Sequence, residues 1–382
     1  MRILHVVSSL DPATGGPAEI IRVLLKYGPP DASQEVATLD DPNAPFLREI
    51  DFPVHALGPG KSTYGRSDRL IPWLEANRSR FDGIVLHGLW QFTGYAVWRT
   101  MSGRVPYVVF THGMLDPYFK RAFPLKHLKK WLYWLPVEYR VLRGADRVLF
   151  TCEPEASLAK QSFWLHRWRP SVVPFGTIPP EGDPGAQREA FFQACPDLRG
   201  KRCLLFLGRI DPKKGCDLLI DAFQKLAAQA PELHLVMAGP DAHNWRAELE
   251  SRVQVANLKA RIHWPGLLRG DVKWGSFRAA EAFILPSHQE NFGIAVAEAL
   301  ACSVPVLLSD KVNIAAEIAA DGAGLMEPDT AAGAERLLQR WLELSSEQRE
   351  AMAERSRKCF QERYDMRENA KTVVRLFTER PA

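Results

Sequence analysis

The sequence lacks most of the features that mark specialised classes of protein. Only six of its 382 residues are cysteines, and no two of them form a C-x-x-C pair. Neither a zinc site nor a disulfide framework is therefore indicated, and a reducing compartment is expected. No apolar run approaches the length that spans a bilayer, and the apolar stretch after Arg2 is too short for the core of a signal peptide. We expect a cytoplasmic protein.

Two motifs that commonly mark nucleotide sites are also absent. No D-x-D triplet occurs, so nothing indicates a diphosphate bridged by a metal, and we expect no metal and no other cofactor. The first glycine-rich loop does not follow G-x-G-x-x-G, which argues against a dinucleotide fingerprint. The formal net charge of +4 is too small to indicate nucleic acid as a partner. It is equally compatible with an anionic small molecule or an anionic membrane surface.

What the sequence does contain is a regular alternation of short apolar, β-branched runs with longer helical patterns. This alternation predicts βαβ units. Because several runs are apolar throughout, they predict strands buried on both faces of parallel sheets. A length of 382 residues favours two domains, and the Pro- and Gly-rich segment 176–185 divides the chain into α/β halves of similar size. The predicted strands are 3–7, 36–39, 54–57, 84–87, 107–111, 148–151, 172–174, 203–207, 234–238, 262–264, 282–285, 306–308 and 324–326.

Two loops that follow predicted strands are candidates for binding phosphate, since ligands of doubly wound sheets lie outside the carboxyl ends of the strands. Gly15 and Gly16 precede a helix and would let the backbone approach an anion, although an ordinary strand-to-helix turn explains them equally well. In the loop 208–215, Arg209 and Lys214 could neutralise a diphosphate. The alternative for this second loop is a solvated basic turn.

A pair of glutamates follows the predicted strand 282–285. Glu290 lies in a loop, and the N–H groups of Asn291, Phe292 and Gly293 at the start of the next helix would form an anion site. Glu298 lies inside that helix among apolar residues, so its carboxylate needs a partner or a polar ligand, for which ribose hydroxyls are suitable. The alternative is that Glu298 pairs with a nearby Arg or Lys while Glu290 is a solvated loop acid.

The segment 287–300 (SHQENFGIAVAEAL) resembles the E-x7-E signature of the retaining glycosyltransferases of family 4, the glycosyl transferases group 1. The turn G-R-x-x-x-K-K-G at 208–215, MAGP at 237–240, PVLLSD at 305–310 and THG at 111–113 are also similar to that family. The resemblance implies the GT-B fold, an α/β fold of two Rossmann-like doubly wound domains facing a central cleft. It implies an acceptor-side domain over 1–178, a domain binding the nucleotide-sugar donor over 179–360, and a C-terminal helix over 361–382 that packs back on the first domain.

The same resemblance implies roles for individual residues. Arg209 and Lys214 would bind the donor diphosphate and stabilise the leaving nucleotide, Glu290 would hold hydroxyls of the donor sugar, and His112 would lie against that sugar. A histidine that is merely hydrogen-bonded at a strand end is the alternative for His112. The implied donor-binding residues are Gly15, Gly16, Gly239, Leu267, Asn291, Phe292, Gly293, Ile294 and Glu298. Ser303 stands where the family has a glycine, and the loop 310–317 lacks the usual glycine pair, which puts phosphate contacts from that loop in doubt.

The expected activity is transfer of a hexose from a UDP- or GDP-sugar to a glycan or lipid-linked acceptor in cell-surface polysaccharide biosynthesis. The family resemblance implies retention of the anomeric configuration by front-face attack, and the missing D-x-D triplet favours a metal-independent reaction. Another GT-B enzyme, such as a nucleotide-sugar epimerase, and a catalytically silent sugar-binding scaffold are the alternatives. No nucleic-acid recognition motif is present.

The segment 118–147 combines lysines and arginines with aromatic residues and leucines. A basic amphipathic helix of this kind is typical of a membrane interface. The family resemblance implies that such a segment approaches the membrane where lipid-linked acceptors lie, which would place the protein peripherally at the inner face. The alternative is a buried helix whose cationic side faces water.

Overall fold

In the computed structural model, residues 1–12, 16–241, 244–253 and 256–378 are described. The chain divides into two compact units. Unit 1 comprises Met1–Phe175 and Met366–Ala382, and unit 2 comprises Gly176–Asp365.

Unit 1 is built on a parallel sheet of seven strands in the order β3-β2-β1-β4-β5-β6-β7. The strands are β1 (Arg2–Val7), β2 (Ser33–Thr38), β3 (Val54–Ala56), β4 (Gly83–His87), β5 (Tyr107–Phe110), β6 (Arg147–Phe150) and β7 (Pro170–Val172). The helices between them are α1 (Gly16–Tyr27), α2 (Leu70–Asn77), α3 (Phe92–Met101), α4 (Tyr118–Ala122), α5 (Pro124–Tyr133), α6 (Tyr139–Gly144) and α7 (Glu153–Ala159). Short 3-10 turns occupy Pro45–Glu49 and Arg78–Arg80, and a π-helical turn occupies Trp134–Glu138.

Unit 2 has a parallel sheet of six strands in the order β10-β9-β8-β11-β12-β13. The strands are β8 (Arg202–Leu207), β9 (Leu233–Ala238), β10 (Ile262–Gly266), β11 (Ala282–Leu285), β12 (Val306–Ser309) and β13 (Gly324–Glu327). The helices are α8 (Pro184–Ala194), α9 (Cys216–Leu226), α10 (Arg246–Arg252), α11 (Ala256–Lys259), α12 (Gly270–Ala279), α13 (Ile294–Ala301), α14 (Ala315–Ala320), α15 (Ala331–Glu343) and α16 (Ser346–Cys359). The 3-10 turns are Pro196–Leu198 and Pro212–Lys214, and a π-helical turn follows α16 at Phe360–Tyr364.

The predicted doubly wound α/β fold is confirmed, and a strand is present at each predicted position. The central strands β4, β5, β11 and β12 are buried along their whole length, which is why most of their residues are apolar. The largest error is at the start of β2. Ser33, Gln34 and Glu35 are polar, yet they pair with Arg2, Ile3 and Leu4 of β1. A pattern of hydrophobicity cannot detect a strand segment whose residues are polar and which is held only by the backbone hydrogen bonds between strands.

The last helix, α17 (Met366–Thr378), belongs to unit 1, where it packs against α1. Phe377 of this helix lies against the start of β4. A Cβ atom at Gly83 would come within 2.5 Å of the Phe377 ring, so the helix approaches the sheet this closely only because residue 83 is glycine.

The strand order in each unit determines which loops are neighbours. In unit 2 the chain leaves β8 toward β9 and β10 and then returns to place β11 on the other side of β8. The loops that follow β8 and β11 therefore meet at a topological switch point, where doubly wound sheets bind their ligands. In unit 1 the corresponding neighbours are the loops after β1 and β4, and the loop after β5 lies next to them.

Candidate functional site

The loops after β8 and β11 are held together by backbone contacts. The N–H of His288 donates to the carbonyl of Lys213 at 2.8 Å, and the Ser287 hydroxyl donates to the same carbonyl at 3.0 Å. Gly215 has a φ of 67°, and a Cβ atom there would lie 2.0 Å from the carbonyl oxygen of Pro286. Only glycine permits this approach, so the spacing of the two loops is fixed by residue type.

Lys214 and Glu290 form an ion pair across these loops, and both side chains are mostly buried. Asp211 caps the turn Pro212–Lys214 by accepting a hydrogen bond from the N–H of Lys213 at 2.9 Å, which orients Lys214. Glu290 is therefore not a solvated loop acid. Its carboxylate already binds a cation. An anionic ligand that approaches Lys214 therefore finds its ammonium bound to Glu290.

The loop after β12 supports Glu290 from the other side. The N–H of Glu290 donates to the carbonyl of Lys311 at 3.0 Å, and the N–H of Asn313 donates to the carbonyl of Glu290 at 3.1 Å. The segment 310–317, which lacks the glycine pair usual in the family, thus has a structural role here: it positions the backbone that carries Glu290.

Arg209 differs from Lys214 because its guanidinium is exposed. In the described segments of the chain it forms no ion pair and no side-chain hydrogen bond. It lies at the end of β8, two residues after Leu207. An unpaired fork of N–H donors at this place can bind a phosphate in a bidentate manner.

Helix α13 begins beside the ion pair. Gly293, its N-cap residue, has a φ of 76°, and within the described residues the N–H groups of Gly293 and Ile294 donate to no protein acceptor. Such groups at a helix N-terminus favour an anion or an electronegative oxygen. Phe292 is buried and packs edge-on against Tyr364, with 5.7 Å between ring centroids. Its side chain belongs to the core.

Glu298 is buried in α13 and forms an ion pair with Lys273 of α12. Of the two interpretations of Glu298 from the sequence, the one in which it pairs with a nearby Arg or Lys is therefore the one seen in the structure. Lys273 was not among the residues singled out from the sequence. A carboxylate among apolar residues signals that a cation must lie near, but Lys273 is 25 residues away in another helix, and only the fold identifies it.

Gly239 and Leu267 lie at the ends of neighbouring strands in the same unit. Gly239 has a φ of 139°, and a Cβ atom there would lie 1.8 Å from the carbonyl oxygen of Gly208. Its N–H donates to the carbonyl of Gly266 at 2.8 Å, so the ends of β8, β9 and β10 are drawn together. Leu267 follows with a side chain that is 55% exposed. It offers an apolar surface beside these strand ends.

In unit 1, His112 follows β5 in the left-handed region, with a φ of 48°. The buried carboxylate of Glu155 holds this strained turn: it accepts hydrogen bonds from the Thr111 hydroxyl at 2.8 Å and from the N–H of Gly113 at 2.9 Å. The ring of His112 stacks on Phe110, and burial lowers the pKa of His112 to about 4. His112 is therefore a neutral imidazole at physiological pH, and Glu155 is a supporting residue that sequence analysis missed.

The glycine pair predicted to bind phosphate is only partly covered by the structure. Gly15 lies outside the described residues. Gly16 is the first residue of α1, two residues before the predicted helix start near Ala18. Among the described residues, no group of three His, Cys, Asp or Glu side chains is placed to hold a metal ion.

Comparison with known proteins identifies the family. The profile described as "Glycosyl transferases group 1" matches residues 187–359, and that described as "Glycosyl transferase 4-like domain" matches residues 15–176. This chain belongs to the group 1 glycosyltransferases. The resemblance seen in the E-x7-E segment is thereby confirmed.

The relatives of this group 1 glycosyltransferase are distant. Mannosylfructose-phosphate synthase of Agrobacterium fabrum is 27% identical over 187 residues, 45% of this chain and 39% of that protein. D-inositol 3-phosphate glycosyltransferase of Kribbella flavida is 30% identical over 201 residues, 50% of this chain and 46% of that protein. The matched segments thus span less than half the length of these curated relatives.

Similarity to solved structures extends over the whole chain. Anabaena HepE in complex with UDP has a TM-score of 0.77 at 18% identity, covering 100% of both chains. Sucrose-phosphate synthase of Thermosynechococcus elongatus has a TM-score of 0.73 at 21% identity, covering 99% of this chain and 98% of the other. The group 1 glycosyltransferase described here has the GT-B fold.

The basic aromatic segment of unit 1 combines a buried side with an exposed apolar row. Trp134 is fully buried, whereas Leu132 is 82% exposed. The large exposed apolar side chains of this region are Phe123, Leu125, Leu128, Leu132, Leu135 and Trp164. The segment is therefore not simply a buried helix with a cationic outer side. Nowhere in the described parts of the chain does a helix have the length and apolarity needed to cross a membrane.

An apolar cavity of about 180 Å³ lies beside this row in unit 1 and near the loop of His112. Its walls are Trp90, Met114, Phe119, Phe123, Lys126, His127 and Lys130. The Lys130 ammonium lies 4.3 Å from the centroid of the Trp90 ring, and burial, together with Lys126, lowers the pKa of Lys130 to about 8. Burial also raises the pKa of Glu138, which accepts a hydrogen bond from the N–H of Trp90, to about 8.

Larger cavities do not coincide with the clustered site residues. One of about 510 Å³ runs along β10 in unit 2, between Cys195–Asp197 and Arg246, and it contains neither of the two ion pairs. We assign the candidate site by its chemistry and its place at the switch point, because volume alone does not distinguish a functional cleft.

Proposed function

We propose that this protein transfers a hexose from a UDP- or GDP-sugar to a glycan or lipid-linked acceptor, with retention of the anomeric configuration and without a metal. The observation that carries the proposal is the cluster at the switch point of unit 2. There, unpaired Arg209, the Lys214–Glu290 ion pair and the free N–H groups of Gly293 and Ile294 lie on loops fixed to one another.

The cluster suits both parts of a nucleotide sugar. The donor diphosphate would take the Arg209 fork and compete with Glu290 for the ammonium of Lys214. Glu290 would then accept hydrogen bonds from sugar hydroxyls in place of its cation. The Lys214–Glu290 pair is already formed and mostly buried. Donor binding therefore replaces one partner of each charged group by another, and the two side chains do not have to be desolvated when the donor binds.

The second ion pair suits the ribose. Glu298 would accept hydrogen bonds from ribose hydroxyls, while its ion pair with Lys273 keeps the buried carboxylate oriented. Leu267 and the backbone at Gly239 would line the nucleotide. HepE has been solved in complex with UDP and, in another structure, with UDP-glucose, which favours a nucleotide-sugar donor for this chain as well.

The proposed reaction requires no covalent intermediate on the protein. The acceptor hydroxyl attacks the anomeric carbon from the face that the nucleoside diphosphate leaves, and its proton passes to the departing phosphate oxygen. Arg209, Lys214 and the N–H groups at the start of α13 stabilise the negative charge that develops on the diphosphate. His112 contributes by contacting a substrate hydroxyl. The anomer formed, read by NMR, checks the stereochemistry.

The exposed row of unit 1 favours an acceptor at a membrane surface. The apolar side chains named above, with the neighbouring lysines, have the composition of a segment that lies in the headgroup region of an anionic bilayer. We therefore place the enzyme peripherally at the cytoplasmic face, in the synthesis of a cell-surface polysaccharide or glycolipid.

Thermal unfolding in the presence of nucleotides tests the donor assignment. We expect either UDP or GDP to raise the unfolding temperature, since only a ligand of the folded state stabilises it, and we expect Arg209→Ala to abolish most of that rise. Arg357→Ala, a change at another exposed arginine of unit 2 on α16, is the matched control and should leave the rise intact. If no nucleoside diphosphate stabilises the wild-type protein at millimolar concentration, the proposal is wrong.

A further inference from the structure

Three histidines from neighbouring strands of unit 1 form a continuous hydrogen-bonded chain. Nδ1 of His5 on β1 lies 3.0 Å from Nε2 of His87 on β4, and Nδ1 of His87 lies 3.1 Å from Nε2 of His112 after β5. The rings are stacked, with centroids 5.2 and 5.4 Å apart. At the far end, Nε2 of His5 lies 2.9 Å from Oε1 of Gln34 on β2.

All three imidazoles are neutral, because burial lowers the pKa of each: to about 4 for His5 and His112, and well below the ordinary value for His87. A neutral imidazole has one N–H donor and one bare acceptor nitrogen. Each ring in the chain must therefore donate at one end and accept at the other, and the order of donors along the chain can run in only one of two directions.

The amide of Gln34 selects the direction. Its Nε2 donates to the carbonyl of Leu24 at 3.5 Å, so Oε1 faces His5 and can only accept. His5 then carries its proton on Nε2 and accepts from His87 with Nδ1. Because His87 has its proton on Nε2, its Nδ1 is bare and accepts a hydrogen bond from Nε2–H of His112. The opposite order would set the bare Nε2 of His5 against Oε1 of Gln34, and turning the amide over would instead set Oε1 against the carbonyl of Leu24, so that two acceptors meet in either case.

We propose that Gln34, acting through His5 and His87, fixes His112 as the tautomer protonated on Nε2, so that its bare Nδ1 accepts a hydrogen bond from a hydroxyl of the sugar substrate. Gln34, His5 and His87 are positioning residues that do not touch the substrate. Within the described residues, Nδ1 of His112 has no hydrogen-bond partner in the protein, and the Glu155 contacts hold the backbone that aims it.

The sugar contact of His112 rests on the proposed function, whereas the tautomer does not. This separation makes the proposal testable without substrate. A histidine with a bare Nδ1 recognises a hydroxyl by accepting its proton. The opposite tautomer could only donate to a hydroxyl oxygen, which changes the geometry and leaves the hydroxyl proton without its acceptor.

The test is ¹⁵N NMR of protein labelled selectively at its ten histidines, with signals assigned by single replacements. Wild type should show Nδ1 unprotonated and Nε2 protonated for His5, His87 and His112. Gln34→Glu keeps an acceptor and should keep this pattern. Gln34→Lys offers only donors and should reverse the tautomer of all three rings. Gln161→Lys, at an exposed glutamine of unit 1, controls for the added charge.

A proton on Nδ1 of His112 in the wild type overturns the proposal. So does a Gln34→Lys protein in which His5 keeps its tautomer, or one in which His5 reverses and His112 does not. As a separate readout, sugar transfer by Gln34→Lys should fall about tenfold in kcat, the effect of one lost hydrogen bond, while Gln34→Glu stays within about twofold. An unchanged kcat with a reversed His112 would refute the substrate contact alone.

Discussion

Replacing Lys273 by methionine tests whether the burial of Glu298 depends on its cation. The side chains of Glu298 and Lys273 are 8% and 25% exposed, so the change leaves a nearly buried carboxylate beside an apolar chain of similar length. Breaking a fully buried ion pair by removing one partner costs about 3–5 kcal/mol. Because the lysine end of this pair is partly in water, we expect the free energy of unfolding of unit 2 to fall by roughly 2–3 kcal/mol.

The two ends of the pair should respond unequally. Glu298→Gln removes the buried charge and leaves Lys273, whose ammonium lies 4.7 Å from the centroid of the Trp274 ring and can turn toward solvent. We expect a loss of about 1 kcal/mol, the upper range for an exposed pair. The double variant Lys273→Met with Glu298→Gln should recover most of the stability lost in Lys273→Met, because an amide needs no counter-charge.

Urea unfolding at pH 7 gives the total change, and amide hydrogen exchange of α13 assigns it to unit 2. The deficit of Lys273→Met should shrink at pH 5, since taking up a proton removes the buried charge that has lost its lysine. The reasoning is refuted if Lys273→Met is no less stable than Glu298→Gln, or if the double variant is no more stable than Lys273→Met. Either result would mean that the ion pair does not determine how the glutamate is buried.

Three further perturbations address the reaction, the membrane and unit 1. Lys214→Ala should lower kcat of sugar transfer by about 10²–10³, the usual effect of losing one preorganised group at a developing charge; a near-normal rate would count against its role, and Arg357→Ala is the control. Leu132→Asp should weaken co-sedimentation with anionic liposomes, whereas Leu267→Asp, an equivalent change in unit 2, should not; failure of the wild type to bind any vesicle would exclude the membrane proposal. Burial raises the pKa of Glu138 to about 8, so its contribution to stability is present below about pH 4.5 and is lost as the pH rises through 8. Glu138→Gln should therefore flatten the pH dependence of unit 1 unfolding between pH 5 and 8, and an unchanged slope would show that Glu138 does not titrate there.

Strand positions were predictable because buried parallel strands are apolar on both faces, as in β4 and β11. The neighbours of each strand were not predictable in the same way. Lys214 and Glu290 are 76 residues apart in sequence, and they meet because β8 and β11 are adjacent across the switch point. Both residues were predicted from their place in loops that follow strands, and the family resemblance gave them roles, but the ion pair between them depends on the strand order.

The supporting residues escaped sequence analysis for a related reason. Glu155 in α7 and Lys273 in α12 carry no motif, and each has its effect through a partner in another element. His5 and His87 likewise carry no motif, although His112 belongs to the THG motif at 111–113. The three histidines form a chain because the topology places β1, β4 and β5 side by side. Side chains that touch a ligand recur in recognisable patterns, whereas the residues that hold them are constrained only by the geometry of the fold.

The two units use opposite electrostatic solutions for their buried polar groups, and this difference bears on their proposed tasks. In unit 2 the buried acids are matched by lysines, as at Glu290 and Glu298. Such a site suits a diphosphate, because the diphosphate can replace the carboxylate as the partner of the lysine at little electrostatic cost. In unit 1 the polar chain behind His112 consists of neutral rings and one amide, and its order is set by donors and acceptors instead of charges. A site of that kind discriminates between hydroxyls by the direction of their hydrogen bonds.

If the proposed function is right, donor affinity should therefore depend strongly on ionic strength, whereas the effect of Gln34 substitutions on kcat should be nearly independent of it.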